Sequence, residues 1–159
     1  MTTIHVAGGV GIAPTSMAAY DAALADANLH NYNLITVSSV IPADATIEVA
    51  DAAPDLGPAG NRLTVVQGKT VAGPDSDRDR ITTGIGWATG PGPGLFYEAS
   101  GTDPGAVEAE IRRGLEAGSE LRDWELPDRD VVVSSVEPGS GSHTAAVILA
   151  AYGESEPIL

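Results

Sequence analysis

Hydrophobic and polar positions along the chain follow two rhythms. Alternation and short β-branched runs predict strands at Thr3–Ala7, Asn33–Ile41, Thr46–Val49, Arg62–Gln67, Arg80–Trp87, Leu95–Ala99, Asp130–Val136 and Thr144–Tyr152. Helical spacing links Met17, Tyr20, Asp21, Leu24 and Ala27 behind Pro14 and a start at Thr15 or Ser16. The same spacing links Val107, Ile111, Leu115 and Leu121 behind Pro104. Gly8, Gly9 and Gly11 read as a turn from the first strand into the first helix. Asn28–Asn31 reads as a turn whose asparagines tolerate positive φ. Pro42 stops the third element, and Glu154–Leu159 reads as a loose tail.

Strand, helix and then a Val-Ser-Ser-Val string with a following proline occurs twice, at Val37–Val40 with Pro42 and at Val133–Val136 with Pro138. The repeat is too short to establish a duplication, but it predicts two β-α-β units with further strands alongside. Helix crossovers imply parallel neighbours, and the hairpin-like extra strands imply mixed sheets. Two sheets face to face with one helix outside each would bury every apolar face. The predicted fold is therefore α/β (α+β), a four-layer α/β/β/α sandwich, in a single domain spanning 1–159.

Composition narrows the function. The chain of 159 residues has 43% hydrophobic residues, no cysteine and a formal net charge of −14. It is long enough to bury roughly 70% of its unfolded surface. Lacking cysteine, it has no disulfide scaffold, no thiolate metal site and no catalytic thiol. Its eight basic residues are dispersed, which argues against nucleic acid and anionic membrane as partners. No apolar run approaches a membrane span and no signal peptide is visible, so a cytoplasmic location is expected. One lysine against seven arginines, with 22 acidic residues, resembles the composition of proteins from salt-loving microbes. The plainer reading is charge needed for solubility.

Most candidate motifs are weak. The glycines at 8, 9 and 11 could cradle a phosphate, but no Lys-Ser/Thr follows, and a tight turn is the simpler reading. His5, His30 and His143 lack metal-ligand spacing, so no metal is expected. Trp124 reads as a cap on a core edge. The Ser-Ser pairs are in no nucleophile elbow. They allow another chemistry, in which the second hydroxyl attacks the preceding carbonyl and converts amide to ester. β-Elimination then cuts the chain and leaves a pyruvoyl group, a ketone that serves as an electron sink. Local sequence does not distinguish the two pairs for this role.

The surroundings of the first pair do. Tyr20-Asp21-Ala22-Ala23-Leu24, followed by Asn31-Tyr32-Asn33-Leu34-Ile35-Thr36-Val37-Ser38-Ser39-Val40-Ile41-Pro42, resembles the pyruvoyl-dependent arginine decarboxylases. That family has an aromatic-Asp-x-Ala-Leu helix and then an N-x-N-L-x-x-x-S-S-I-x-P strand. Gly94-Leu95-Phe96-Tyr97-Glu98 is similar to its G-L-x-x-E segment, and Glu120–Leu126 to the end of its second helix. Two departures stand out: Pro42-Ala43 replaces a frequent pair of prolines, and 51–79 matches poorly.

The resemblance implies autocatalytic serinolysis between Ser38 and Ser39, giving a β chain of residues 1–38 and an α chain of residues 39–159 headed by the pyruvoyl group. It implies decarboxylation of L-arginine to agmatine and CO₂, Glu98 as general acid, and Asn33 as a catalytic residue orienting groups near the reactive carbonyl. Asn33 also suits a plain turn at a strand start. Asp21 would bind the guanidinium, with Met17 and Leu24 lining the substrate's aliphatic stem; an exposed helix residue and two core residues are the structural alternatives. The family fold is a four-layer sandwich assembled as homotrimers with interface active sites. Two other functions stay open, a pyruvoyl decarboxylase for another amino acid and a non-catalytic trimeric paralogue that binds a cationic metabolite.

Overall fold

In the computed structural model, which describes residues 2–159, the chain runs β1 (Thr3–Ala13), α1 (Ser16–Asp26), β2 (Asn33–Thr36), β3 (Val40–Ile41), β4 (Thr46–Val49), β5 (Arg62–Ala72), β6 (Ile81–Thr89), β7 (Gly94–Gly101), α2 (Pro104–Glu120), β8 (Asp128–Val136) and β9 (His143–Tyr152). The strands form a five-stranded sheet, order β2-β5-β9-β1-β4, and a four-stranded sheet, order β3-β7-β6-β8.

A strand buried along its whole length needs a layer on each side. β9 is such a strand, buried from Thr144 to Ala151. Ala145, Val147, Leu149 and Ala151 pack with Ala19, Ala23 and Leu24 of α1. Ile148 and Ala150 face the other way, onto Ile85, Trp87 and Phe96 of the second sheet. That sheet's outer face carries Ala88 and Leu95 against Val107, Ile111 and Leu115 of α2. The layers are α1, five strands, four strands and α2, the sandwich expected from the apolar pattern.

Both helices connect strands that run in the same direction within one sheet. The first sheet is mixed: β4 is parallel to β1 and β2 to β5, while β9 runs antiparallel between β1 and β5. Every neighbouring pair of the second sheet is antiparallel, so only one sheet is mixed where both were expected to be. β7 and β8 still match in direction, because each pairs antiparallel with the intervening β6.

Local signals account for the helix ends. Thr15 caps α1 by accepting from the Ala18 N–H at 3.1 Å, and Asn28 leaves the helix at φ 58°. Asp103 caps α2 by accepting from the Ala106 N–H at 2.8 Å, with Pro104 behind it. Leu121 is a misreading: it follows the last helical residue and is 82% exposed rather than lying on the buried stripe.

Three further expectations change. Gly8, Gly9 and Gly11 are strand residues, since β1 continues to Ala13. They read as a turn because glycine favours turns, yet here glycine serves close approach. A Cβ on Gly11 would lie 2.5 Å from the Ala23 nitrogen of α1. The expected strand Asn33–Ile41 is two strands: β2 belongs to the five-stranded sheet and β3 to the four-stranded one, with Val37–Ser39 between them. The tail is also held: Arg62 and Glu156 exchange backbone hydrogen bonds at 2.8 and 2.9 Å, and their side chains pair at 2.9 Å.

Candidate active site

The break between β2 and β3 places the first serine pair. The Val37 N–H donates to the Val65 carbonyl at 2.9 Å, which ends the contact with the five-stranded sheet. Two residues later the Ser39 carbonyl accepts from the Phe96 N–H of β7 at 2.7 Å. Ser38 and Ser39 therefore span from one sheet to the other, outside both ladders, with Ser38 exposed and Ser39 half-buried. The second pair is fixed differently. Ser134 and Ser135 stand in register opposite Thr83 and Thr82 within the β6–β8 ladder. The Ser134 hydroxyl donates to the Gly9 carbonyl at 3.1 Å, and the Ser135 hydroxyl lies 2.7 Å from that of Thr82. Identical local strings thus occupy a free crossover and a paired strand.

Ser38, Ser39, Phe96, Tyr97 and Glu98 line one cleft of about 300 Å³. Phe96 and Glu98, two residues apart on β7, share the face turned toward the other sheet. Phe96 is buried there, while Glu98 reaches the exposed rim. Partial burial pushes the Glu98 carboxyl above its ordinary value of 4.5, and a hydrogen bond to its own backbone offsets this in part. A carboxyl so placed can hold a proton beside Ser39 and deliver it.

A second cleft, of about 550 Å³, contains Met17, Asp21, Leu24 and Asn33, together with Tyr20, His30 and Tyr32. Helical spacing sets Met17, Asp21 and Leu24 one turn apart on α1. Asp21 is exposed, Leu24 is buried in the core and forms part of the floor, and Met17 is 76% exposed. The Asn33 side chain donates to the Gly60 carbonyl at 2.8 Å, which ties the start of β2 to the 57–61 loop. The two clefts share no lining residue. The chain thus gathers Ser38, Ser39 and Glu98 in one place and Met17, Asp21, Leu24 and Asn33 in another. It does not bring the two sets together.

The sequence does not single out Tyr152, and Tyr20 reads there only as the aromatic of a helix motif. Tyr152 donates from its hydroxyl to the Val40 carbonyl at 2.9 Å and packs edge-on against Phe96. Tyr20 donates to Gln67 at 2.8 Å under the Lys69 ammonium, beside Asp21. For Tyr152 the available signal was a polar-tipped aromatic ending an apolar strand, a position where the hydroxyl needs a partner. Trp124 is half-buried at the edge of the α2 core, as expected, with the Arg122 guanidinium 5.3 Å from its ring centroid.

Known proteins resemble this chain over nearly its whole length. The family model for pyruvoyl-dependent arginine decarboxylase (PvlArgDC) matches residues 3–157. A pyruvoyl-dependent arginine decarboxylase of Halobacterium salinarum is 53% identical over 161 residues, covering 99% of this chain and 98% of its own length. Proteins of the same name from Pyrococcus horikoshii and Methanopyrus kandleri are 32% and 33% identical, each covering 87% of this chain and 88% of its own length. The family implies a covalent pyruvoyl group, and the residues fit it: a Ser-Ser pair free of any ladder, with the second carbonyl held and a carboxyl in the same cleft. The match is continuous from β1 into the tail and takes in both clefts, so this chain belongs to the pyruvoyl-dependent arginine decarboxylase family.

Proposed function

We propose that the chain cuts itself between Ser38 and Ser39 and then decarboxylates L-arginine to agmatine and CO₂. The observation that carries this reading is the crossover: of two identical Val-Ser-Ser-Val strings, the one outside both ladders shares a cleft with Glu98. The products of the cut are residues 1–38 and 39–159 of one folded domain.

A pyruvoyl group formed from Ser39 would supply a ketone able to act as the electron sink for loss of CO₂. Glu98, with its raised pKa, holds the proton that replaces the lost carboxylate. Asp21 offers two carboxylate oxygens to the guanidinium, a planar fork that lysine cannot match. Met17 and Leu24 flank the aliphatic stem. Asn33 keeps its amide oxygen for orientation while its N–H is anchored on Gly60.

The separation of the two clefts supports assembly. Met17, Ile35, Val37, Val40 and Tyr97 are large apolar side chains left exposed on the single chain. A homotrimer that covers them would carry the Asp21 cleft of one copy to the Ser39 cleft of the next, placing each active site at an interface. The cytoplasmic setting expected from the sequence belongs to the same proposal. CO₂ release from carboxyl-labelled arginine, measured in high salt against lysine, ornithine and histidine, tests it. Release confined to another amino acid would replace the substrate, and no release from any would favour a non-catalytic paralogue.

A further inference from the structure

The structure assigns Tyr152 a positioning role in self-cleavage: its hydroxyl, through the Val40 carbonyl, fixes the downstream side of the Ser38–Ser39 bond. This inference rests on the self-cleaving reading above and extends it to a residue in the opposite sheet.

Serinolysis is a demanding intramolecular reaction. The Ser39 Oγ attacks the Ser38 carbonyl carbon, the C–N bond between the residues breaks, and the hydroxyl proton passes to the residue-39 nitrogen. Loss of the Ser39 Cα proton with departure of the Ser38 carboxylate then leaves dehydroalanine, which water converts to the ketone with release of ammonia. The first step needs the hydroxyl held over the carbonyl, and such alignment is worth several orders of magnitude in rate.

The chain is anchored on both sides of that bond. Upstream, the Val37 N–H donates to the Val65 carbonyl at 2.9 Å. Downstream, the Phe96 N–H holds the Ser39 carbonyl at 2.7 Å and the Tyr152 hydroxyl holds the Val40 carbonyl at 2.9 Å. β3 is only two residues long, so its ladder alone is a weak anchor. Tyr152 reinforces it from the end of β9, a strand buried from Thr144 to Ala151, with its ring edge-on to Phe96 at 6.0 Å between centroids. One residue thus braces both downstream bonds: the hydroxyl grips Val40, and the ring supports the residue whose amide grips Ser39. Burial and the nearby Glu98 charge push the phenol up to about 12, so the hydroxyl remains a donor across the working pH range.

The test follows the cut in freshly synthesised full-length chain by denaturing mass spectrometry, for the parent, Tyr152→Phe, and a chain carrying p-aminophenylalanine at 152. Phenylalanine keeps the ring contact and removes the donor, while the aniline restores a donor. The expected result is cleavage slowed about tenfold in Tyr152→Phe, the rate equivalent of one hydrogen bond. Recovery is expected with p-aminophenylalanine, and the thermal midpoint of the uncut chain should shift by no more than about 2 °C, less than the effect of 1 kcal/mol in a chain of this size. Cleavage of Tyr152→Phe at the parental rate would overturn the role. So would slowing that accompanies a large loss of thermal stability and is not restored by the aniline. A parent chain that never cuts would overturn the self-cleaving reading itself and the role of Tyr152 with it.

Discussion

The Phe96 amide donates to the Ser39 carbonyl at 2.7 Å, so the strand that carries Glu98 also holds the second serine of the crossover pair. Pairing of β3 with β7, two residues with two, is enough to bring the candidate nucleophile and the candidate acid into one cleft. The sheet register, rather than any local motif, sets their relationship.

Glu98 is expected to act only while protonated. Its pKa is raised by partial burial, so kcat should fall as pH rises through that raised value. Glu98→Gln should lose about 10²-fold or more in kcat and lose this limb of the pH profile, while self-cleavage persists. The stability effect has the opposite sense to that of a paired carboxylate. With the folded pKa above the unfolded one, the favourable contribution is complete below pH 4.5 and is lost as pH rises through the folded value. Glu98→Gln should therefore unfold at a higher temperature than the parent near neutral pH, and this gain should vanish in acid. Steady-state kinetics and thermal melts at matched pH values check both.

Asp21 is exposed and lines a different cleft from Ser39 within one chain, so its substitution should separate binding from maturation. Asp21→Asn should cut itself normally and show KM for arginine raised by about one to two orders of magnitude, as expected for a lost charge-assisted pair of about 1.5–3 kcal/mol. Denaturing mass spectrometry and initial rates on the same preparation check it.

Gly11 lies under α1, where a Cβ would stand 2.5 Å from the Ala23 nitrogen and 2.6 Å from the Ala19 carbonyl. Gly11→Ala should cost about 1–3 kcal/mol through forced displacement of the helix. Gly92, with open space around it, serves as the control and should tolerate alanine within about 0.5 kcal/mol. Denaturant melts of the two variants decide it.

The acidic surface predicts a dependence on salt. Asp75, Asp77 and Asp79 are exposed within a chain of net charge −14. Screening lengths fall from about 10 Å at 0.1 M to about 3 Å at 1 M, so mutual repulsion should weaken sharply. The thermal midpoint should rise between low and molar KCl; a midpoint independent of salt would contradict a salt-adapted surface.

Much of the architecture was legible because burial on two sides leaves a strong pattern. Thr144–Tyr152 reads as a strand, and Val107, Ile111 and Leu115 mark one face of a helix, with no tertiary information needed. The errors share a cause. Gly9 and Gly11 look like a turn because the sequence does not show the helix packed against them. Asn33–Ile41 looks like one strand because β-branched residues favour strand in either sheet, and nothing local reports the change of sheet at Ser38. The same gap leaves the two Val-Ser-Ser-Val strings alike in local sequence; only the family motif around the first singles it out, and the β6–β8 register adds that Ser134 and Ser135 are held in a ladder. Glu98 and Asp21 were found by family motif; Tyr152 has no motif and is visible only through its bond to Val40.

Denaturing mass spectrometry of the freshly prepared full-length protein, beside Ser39→Ala, tests the central claim most directly. The account predicts that the parent yields two fragments, residues 1–38 and residues 39–159 with position 39 bearing a borohydride-reducible carbonyl, and that Ser39→Ala remains whole with Ser134–Ser135 uncut in both. A parent chain that stays intact in low and high salt, or a Ser39→Ala chain that still splits after residue 38, would contradict it.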